Sequence, residues 1–185
     1  MTMPVDEDVR ELAPSMRALL VLAGVLVFLA GLQLFVFPLR TERYFSWTID
    51  VPMTAVFLGA SYWSSLVFEW SAARRVRWVD ARIAVPTVFV FTTLTLVATL
   101  VHRDKFHFGP EFEAATRAVP WIWTAIYVVV PIAMVVLMVV QARRPGVDPP
   151  RTRPLALWVR VVIALEAVLL LGVGLALFVY PVGNA

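Results

Sequence analysis

The chain contains no cysteine, and Lys105 is its only lysine. Without cysteine there is no disulfide, no thiolate metal ligand and no cysteine nucleophile, which excludes several classes of enzyme and zinc protein. Charged residues make up only 16% of the chain, whereas 61% of the residues are hydrophobic. A soluble protein of 185 residues cannot bury that much apolar surface, so the composition indicates a membrane protein.

Signatures of catalysis and nucleotide binding are also missing. The sequence has no G-x-S-x-G, P-loop, H-E-x-x-H, dinucleotide-binding or EF-hand pattern. Its net charge of +3 comes from short arginine clusters between apolar runs, where such residues act as topology signals. We therefore expect a non-catalytic protein that binds neither nucleic acid nor nucleotide.

Five apolar stretches are long enough to cross a bilayer, which takes roughly 20 residues per helix. They cover residues 16–37, 52–70, 83–101, 121–140 and 155–180. The polar, acidic residues 1–15 lack the basic region and cleavage site of a secretory signal. Pro120 is expected at a helix start, and Pro131 predicts a kink within the fourth span. The sequence therefore predicts an all-α bundle of five transmembrane helices over residues 16–185.

The orientation of this bundle follows from its basic residues. Eleven of them lie in the N-terminus, the second and fourth loops and the start of the fifth span, against five in the first and third loops. Because basic residues concentrate on the cytoplasmic side, we expect a cytoplasmic N-terminus and a C-terminus outside.

The first and fifth spans share a sequence pattern. GLQLFVFP at 31–38 matches GLALFVYP at 174–181, and both spans begin with an arginine, Arg17 and Arg160. The second copy is offset from the first by 143 residues. This offset covers four spans, an even number, so both copies run in the same direction and form a parallel repeat. The alternative is chance similarity between two apolar helices. The second copy lacks the helix that follows the first copy.

The repeated GLxLFV-aromatic-Pro pattern, SWTIDVPMTAVFLGASYW and VHRDKFHFG together resemble a family of uncharacterised bacterial multi-span membrane proteins. This resemblance implies a multi-pass protein of the bacterial plasma (inner) membrane. It implies no particular activity.

Ionisable residues within the spans are the first candidates for function. Glu166 lies near the centre of the fifth span, where an ionised side chain costs at least about 2.5 kcal/mol. We expect it either to respond to protons or cations or to serve as a neutral carboxyl that bonds a neighbouring helix. Arg17 and Arg160, near the cytoplasmic edge, either pair with Glu69 of the second span or extend to lipid phosphates.

The next candidates for function are hydroxyl groups of the third span and the two histidines of the loop after it. Thr92, Thr95 and Thr99 form one polar stripe that either lines a wet path or bonds back to its own helix. In the loop after the third span, three side chains are candidate ligands of a metal ion, namely His102, Asp104 and His107. Their spacing matches no specific motif, and an interfacial loop is the alternative. A haem normally takes histidines from separate helices, so haem is not expected and lipid is the only bound group anticipated.

The second span carries small residues four apart, which let another helix approach closely. These pairs are Ala55 and Gly59, Ala60 and Ser64, and Ser61 and Ser65.

Three functions remain open on the sequence. The first is a scaffold or accessory subunit that forms a homo-oligomer or packs against another membrane protein. The second is a proton- or ion-coupled transporter or channel component that uses Glu166. The third is a membrane redox or metal-binding protein that uses His102 and His107.

Overall fold

A computed structural model describes residues 9–149 and 155–180. The chain divides into two compact units, one up to Asp148 and the other from Pro149 onward. Several features of the sequence lie outside the described residues: most of the acidic N-terminal segment, the loop arginines Arg151 and Arg153, Pro181 at the end of the second repeat, and the chain end.

Helices account for nearly all regular structure in both units. The first unit contains α1 (Pro14–Val36), α2 (Thr41–Tyr44), α3 (Pro52–Ala73), α4 (Trp78–Ala81), α5 (Ala84–Val101), a 3₁₀ turn (Arg103–Lys105) and α6 (Ala114–Ala142), and the second contains α7 (Leu157–Val179). The described residues form no sheet, only isolated backbone bridges. The prediction of an all-α protein is confirmed.

Four helical segments are long and apolar enough to cross a membrane, which indicates a multi-pass membrane protein. They are Pro14–Val36, Trp78–Val101, Ala114–Ala142 and Leu157–Val179. The other predicted span, α3, has 22 residues. It is not among the four, because its serines and Glu69 make it more polar than the others.

The start of α6 differs from the prediction. The helix begins at Ala114 instead of residue 121, so Pro120 lies inside it together with Pro131. The added turns contain Ala114, Ala115 and Ala118, and alanine is the residue with the highest helix propensity. Proline was therefore a poor marker of this boundary.

The closest helix contact in the first unit joins α1 and α3. Gly31 of α1 faces Gly59 of α3, so that a Cβ at Gly59 would lie 2.8 Å from the backbone nitrogen of Phe35. Trp63 covers the same crossing, where its indole Nε1 donates to the carbonyl of Phe28 at 3.3 Å. Two glycines thus allow the two backbones to meet where larger residues would hold them apart.

Of the small-residue pairs, only the first lies in this contact. Ala55 and Gly59 are buried, and Ala60 is exposed. Ser61, Ser64 and Ser65 each donate a hydroxyl hydrogen bond to the carbonyl four residues earlier in α3. Within the first unit, the close approach is therefore internal.

One end of the first unit, here called the arginine-rich end, joins the N-terminus of α1 to the ends of α3 and α6. Residues 9–12 run between two loops, where Leu12 N–H donates to the Val76 carbonyl at 2.8 Å and Arg10 N–H to the Val147 carbonyl at 3.2 Å. The buried Gln141 side chain of α6 accepts from Ala13 N–H at 2.7 Å and donates to the Glu11 carbonyl at 3.0 Å. The N-terminal segment therefore connects three helix ends.

The opposite, aromatic end is built around Phe45, Trp47, Phe106 and His107. Trp47 packs against both Phe45 and Phe106. His107 Nδ1 lies 3.2 Å from the Phe45 carbonyl, and its Nε2 lies 2.9 Å from the Thr48 hydroxyl. Because a carbonyl only accepts, Nδ1 carries the proton, and neutral Nε2 can accept from Thr48.

Acidification should weaken this end through His107. Burial lowers the pKa of His107 below its usual value near 6.5, although the Phe45 hydrogen bond and the charges of Glu42 and Glu111 oppose that shift. The neutral form is thus favoured in the folded state, so stability is fully present above about pH 6.5 and falls as the pH drops towards the folded pKa. We expect the midpoint temperature of unfolding of the purified protein in detergent to decrease when the pH is lowered from 7.5 to 5.

The variant His107→Gln should flatten that pH dependence. His102→Gln, at an exposed position of the same loop, should leave it in place. An unchanged pH profile in the first variant would show that other groups titrate.

Candidate ligand cavity

A cavity of about 210 Å³ lies among α1, α3, α5 and α6 of the first unit. Its walls are mostly apolar, with lining residues from all four helices and Ser46 from the loop after α2. It exceeds the roughly 150 Å³ of an engineered cavity that binds benzene. The space therefore suits a molecule somewhat larger than one aromatic ring.

Glu69 is the charged residue that lines this cavity. Its side chain belongs to α3 and the residue is only 3% exposed. The buried Oε2 atom has no hydrogen-bond partner. Ala55, Tyr62 and Glu69 recur every seven residues on α3 and are all buried, which places the acid on the interior face of the helix. A buried acceptor without a donor destabilises the fold, because it has given up its hydrogen bonds to water and has gained none within the protein.

The α1 side of Glu69 is kept open by Gly24. A Cβ at position 24 would lie 3.7 Å from Glu69 Oε2 and 3.3 Å from Leu66 Cδ1. The carboxyl therefore packs directly against the backbone of α1.

Aromatic side chains form much of the remaining wall. The hydroxyls of Tyr62 and Tyr127 are 3.3 Å apart and share a hydrogen bond. Trp123 packs against both rings, with centroids at 6.2 Å from Tyr62 and 4.6 Å from Tyr127, and Phe91 packs against Tyr62. All four line the cavity. Because one tyrosine accepts from the other, one phenolic hydrogen remains available for a further acceptor.

The threonine stripe of α5 supports these walls. Thr92, Thr95 and Thr99 donate to carbonyls of their own helix, at 2.8, 2.9 and 2.8 Å. Thr99 also accepts from the indole Nε1 of Trp123 at 3.1 Å. Thr92 alone of the three lines the cavity.

The cavity is partly lined by residues at the surface of the first unit. Leu29 of α1 and Ile122 of α6 line it although they are 48% and 59% exposed. The contact between α1 and α6 is sparse compared with the α1–α3 and α5–α6 contacts. In a bilayer, a lipid-soluble molecule could reach the cavity past such exposed apolar residues without crossing the aqueous phase.

Arg17, one of the two arginines considered as a partner of Glu69, forms a hydrogen bond with another group. Arg17 is exposed and donates to the Arg75 carbonyl at 3.2 Å. Among the described ion pairs none contains Glu69. Arg160 and Glu166 both belong to α7, in the second unit. Taken by itself, that unit buries none of the described side chains of α7. The roles predicted for Arg160 and Glu166 stay predictions.

The three proposed metal ligands do not form a cluster in the structure. His102 and Asp104 are exposed, whereas His107 is buried with both ring nitrogens in hydrogen bonds. Across residues 9–149 and 155–180, no group of three or more histidines and carboxylates could hold a metal ion. The geometry gives the redox and metal hypothesis no support.

Several cavity residues were missed by the sequence reasoning. From the sequence, Trp123 is expected in the aromatic belt at the outer membrane interface, Tyr62 and Tyr127 are ordinary aromatic residues of apolar helices, and Ser46 is part of a loop. Ser46 is fully buried and its Oγ has no hydrogen-bond partner. The available signal was the seven-residue spacing from Tyr62 to Glu69, which puts a tyrosine and an acid on one face.

Comparison with protein-family models, with curated proteins and with solved structures gives no match for this chain.

Proposed function

We propose that this multi-span protein binds a small lipid-soluble molecule in the cavity beside Glu69. The observation that carries the proposal is a buried acid with an unpartnered oxygen at the wall of an otherwise apolar space. An apolar cavity with a few convergent polar groups is the usual form of a small-molecule site.

We further propose that the chain crosses the bacterial plasma membrane five times, with α3 as the additional span. At 1.5 Å per residue, its 22 residues reach about 33 Å, close to the hydrocarbon thickness of a bilayer. The polar face of α3 does not oppose insertion, because Tyr62 and Glu69 are buried in the first unit. An exposed Glu69 would have made the same span costly.

The two ends of the first unit support a cytoplasmic N-terminus. Eight basic and three acidic residues lie at the arginine-rich end, namely Arg10, Arg17, Arg74, Arg75, Arg77, Arg82, Arg143 and Arg144, with Glu11, Asp80 and Asp148. The aromatic end has five of each sign, namely Arg40, Arg43, Arg103, Lys105 and Arg117, with Glu42, Asp50, Asp104, Glu111 and Glu113. The excess of arginine at one end fits the cytoplasmic side.

An accessory role is the second candidate, and α7 favours it. The bounds of α7 are those of α1 displaced by 143 residues at each end, and Gly174 corresponds to Gly31 of the α1–α3 crossing. A helix that repeats the α1 face can pack closely against another helix. The transporter hypothesis built on Glu166 has no comparable observation among the described residues in its favour.

Native mass spectrometry of the protein from mild detergent tests both candidates. The cavity proposal predicts a small-molecule adduct at about one per chain. The variant Ala30→Phe fills the cavity from α1 and should abolish the adduct. Ala60→Phe adds the same ring at an exposed position of α3 and should retain it.

The outcomes separate the candidates. No adduct from a folded wild-type protein, or an adduct unaffected by Ala30→Phe, would reject the cavity proposal. A stoichiometric second polypeptide or second copy without a small molecule would favour the accessory role.

A further inference from the structure

We propose, building on the function above, that the cavity selects a lipophilic amine whose ammonium group pairs with the Glu69 carboxylate. The apolar body of the amine would lie along the aromatic wall of Tyr62, Trp123 and Tyr127. The chemical class of the ligand follows from the hydrogen-bond partner that Glu69 Oε2 lacks within the protein.

Most of the donors that line the cavity around Glu69 are already used within the protein. The Thr92 hydroxyl donates to the Val88 and Phe89 carbonyls, and the Trp123 indole donates to Thr99. Tyr62 and Tyr127 share one hydrogen bond, and the phenolic hydrogen that remains is not bonded to Glu69 Oε2. No described arginine, lysine or histidine forms an ion pair with Glu69. Glu69 Oε2 is therefore free to accept from a donor that arrives with the molecule in the cavity.

A positive charge satisfies this site better than a neutral donor. A carboxylate among apolar side chains is poorly solvated, and an opposite charge at hydrogen-bond distance is the strongest compensation available to it. The aromatic rings add to the preference, because the faces of tryptophan and tyrosine attract ammonium ions. The acid and the three aromatic residues around this cavity therefore all favour the binding of a monovalent ammonium ion.

The size and opening of the cavity narrow the class further. About 210 Å³ accommodates a ring with a short alkyl chain but not a phospholipid. The proposed entrance lies between Leu29 and Ile122, which line the cavity and belong to the exposed apolar surface of α1 and α6. An amine with one apolar body can partition into the bilayer, enter through this gap and bring its ammonium to Glu69 at the inner wall.

Calorimetric titration of the protein in detergent micelles tests the inference with 4-phenylbutylamine and its neutral analogue 4-phenylbutanol. Empty micelles provide the partition baseline for both probes. We expect the amine to bind at least about tenfold more tightly than the alcohol, which corresponds to roughly 1.4 kcal/mol. Glu69→Gln, which keeps the shape and removes the charge, should abolish that preference.

Two further variants keep the result interpretable. Glu113→Gln removes an exposed carboxylate at the aromatic end and should retain the full preference for the amine. If Glu69→Gln does not fold, Glu69→Asp retains the charge but draws it back by one methylene, and it should reduce the tenfold ratio.

Equal affinity of the two probes in wild-type protein would reject the amine class and leave the cavity function standing. A preference for the amine that persists in Glu69→Gln would also reject it. Failure of both probes to bind, together with no adduct in native mass spectrometry, would instead reject the cavity function itself.

Discussion

Replacing Gly59 with alanine should weaken the α1–α3 crossing more than its single added methyl group suggests. The new Cβ would lie 2.8 Å from the backbone nitrogen of Phe35, 2.9 Å from Phe35 Cβ and 3.1 Å from the Gly31 carbonyl. Backbone atoms cannot rotate away, so the two helices must separate. We expect a loss of about 1–3 kcal/mol in the free energy of unfolding, measured by SDS titration in mixed micelles with circular dichroism.

The variant Gly31→Ala provides an instructive comparison. Its Cβ would overlap the indole ring of Trp63, and a side chain can be replaced where a backbone cannot. Adding Trp63→Leu should therefore recover most of the loss in Gly31→Ala and little of the loss in Gly59→Ala. Gly172→Ala in α7 is the matched control, because a Cβ there meets no atom of its own unit within 4 Å. Equal stability of Gly59→Ala and Gly172→Ala would show that α1 and α3 leave enough space at their crossing for an added methyl group.

The number and approximate positions of the long helices followed from the sequence because hydropathy reports them directly. The fifth predicted span, 155–180, differs from α7 by only a few residues. What hydropathy could not reveal is the short structure between the spans. The helices α2 and α4 have four residues each, and the path of residues 9–12 depends on loops far away in the chain.

The candidate site shows a sharper limit. Sequence reasoning ranked Glu166 above Glu69, because Glu166 lies at the centre of an apolar run and Glu69 near the end of one. Burial does not follow from position along a helix alone. It depends on which face meets the other helices, and Glu69 lies on the face of α3 that also carries Ala55 and Tyr62. The seven-residue spacing of these three residues was the feature of the sequence that indicated the burial of Glu69.

The cavity also explains why α3 is the most polar of the long helices. Its interior face carries Glu69 and the Tyr62 hydroxyl, while its serines bond back to the helix at Ser61, Ser64 and Ser65. The polar groups are thus either satisfied locally or directed inward. A span of this composition suits a bundle interior better than a lipid-facing surface.

Removing the Gln141 side-chain amide should destabilise the arginine-rich end by about 1–3 kcal/mol. This is the cost of leaving the buried backbone N–H of Ala13 without a hydrogen bond. Gln141 is 1% exposed and accepts a hydrogen bond from Ala13 N–H at 2.7 Å, just before the first residue of α1. Gln141→Leu keeps the approximate volume but leaves that N–H without an acceptor. The helix start that it holds is also the point where residues 9–12 connect to the Val76 and Val147 carbonyls.

A short series separates this hydrogen bond from simple packing. Gln141→Glu, measured at a pH low enough to keep the new carboxyl neutral, retains an oxygen for Ala13 N–H and an O–H donor for the Glu11 carbonyl. Its loss of stability should therefore be smaller than that of Gln141→Leu. Val140→Leu, at an exposed position of the same turn, should have almost no effect. Hydrogen exchange adds a local readout, because the Ala13 amide should lose protection in Gln141→Leu and keep it in Val140→Leu. Unaltered protection in Gln141→Leu would mean that this amide is held by another group, and that α1 begins independently of α6.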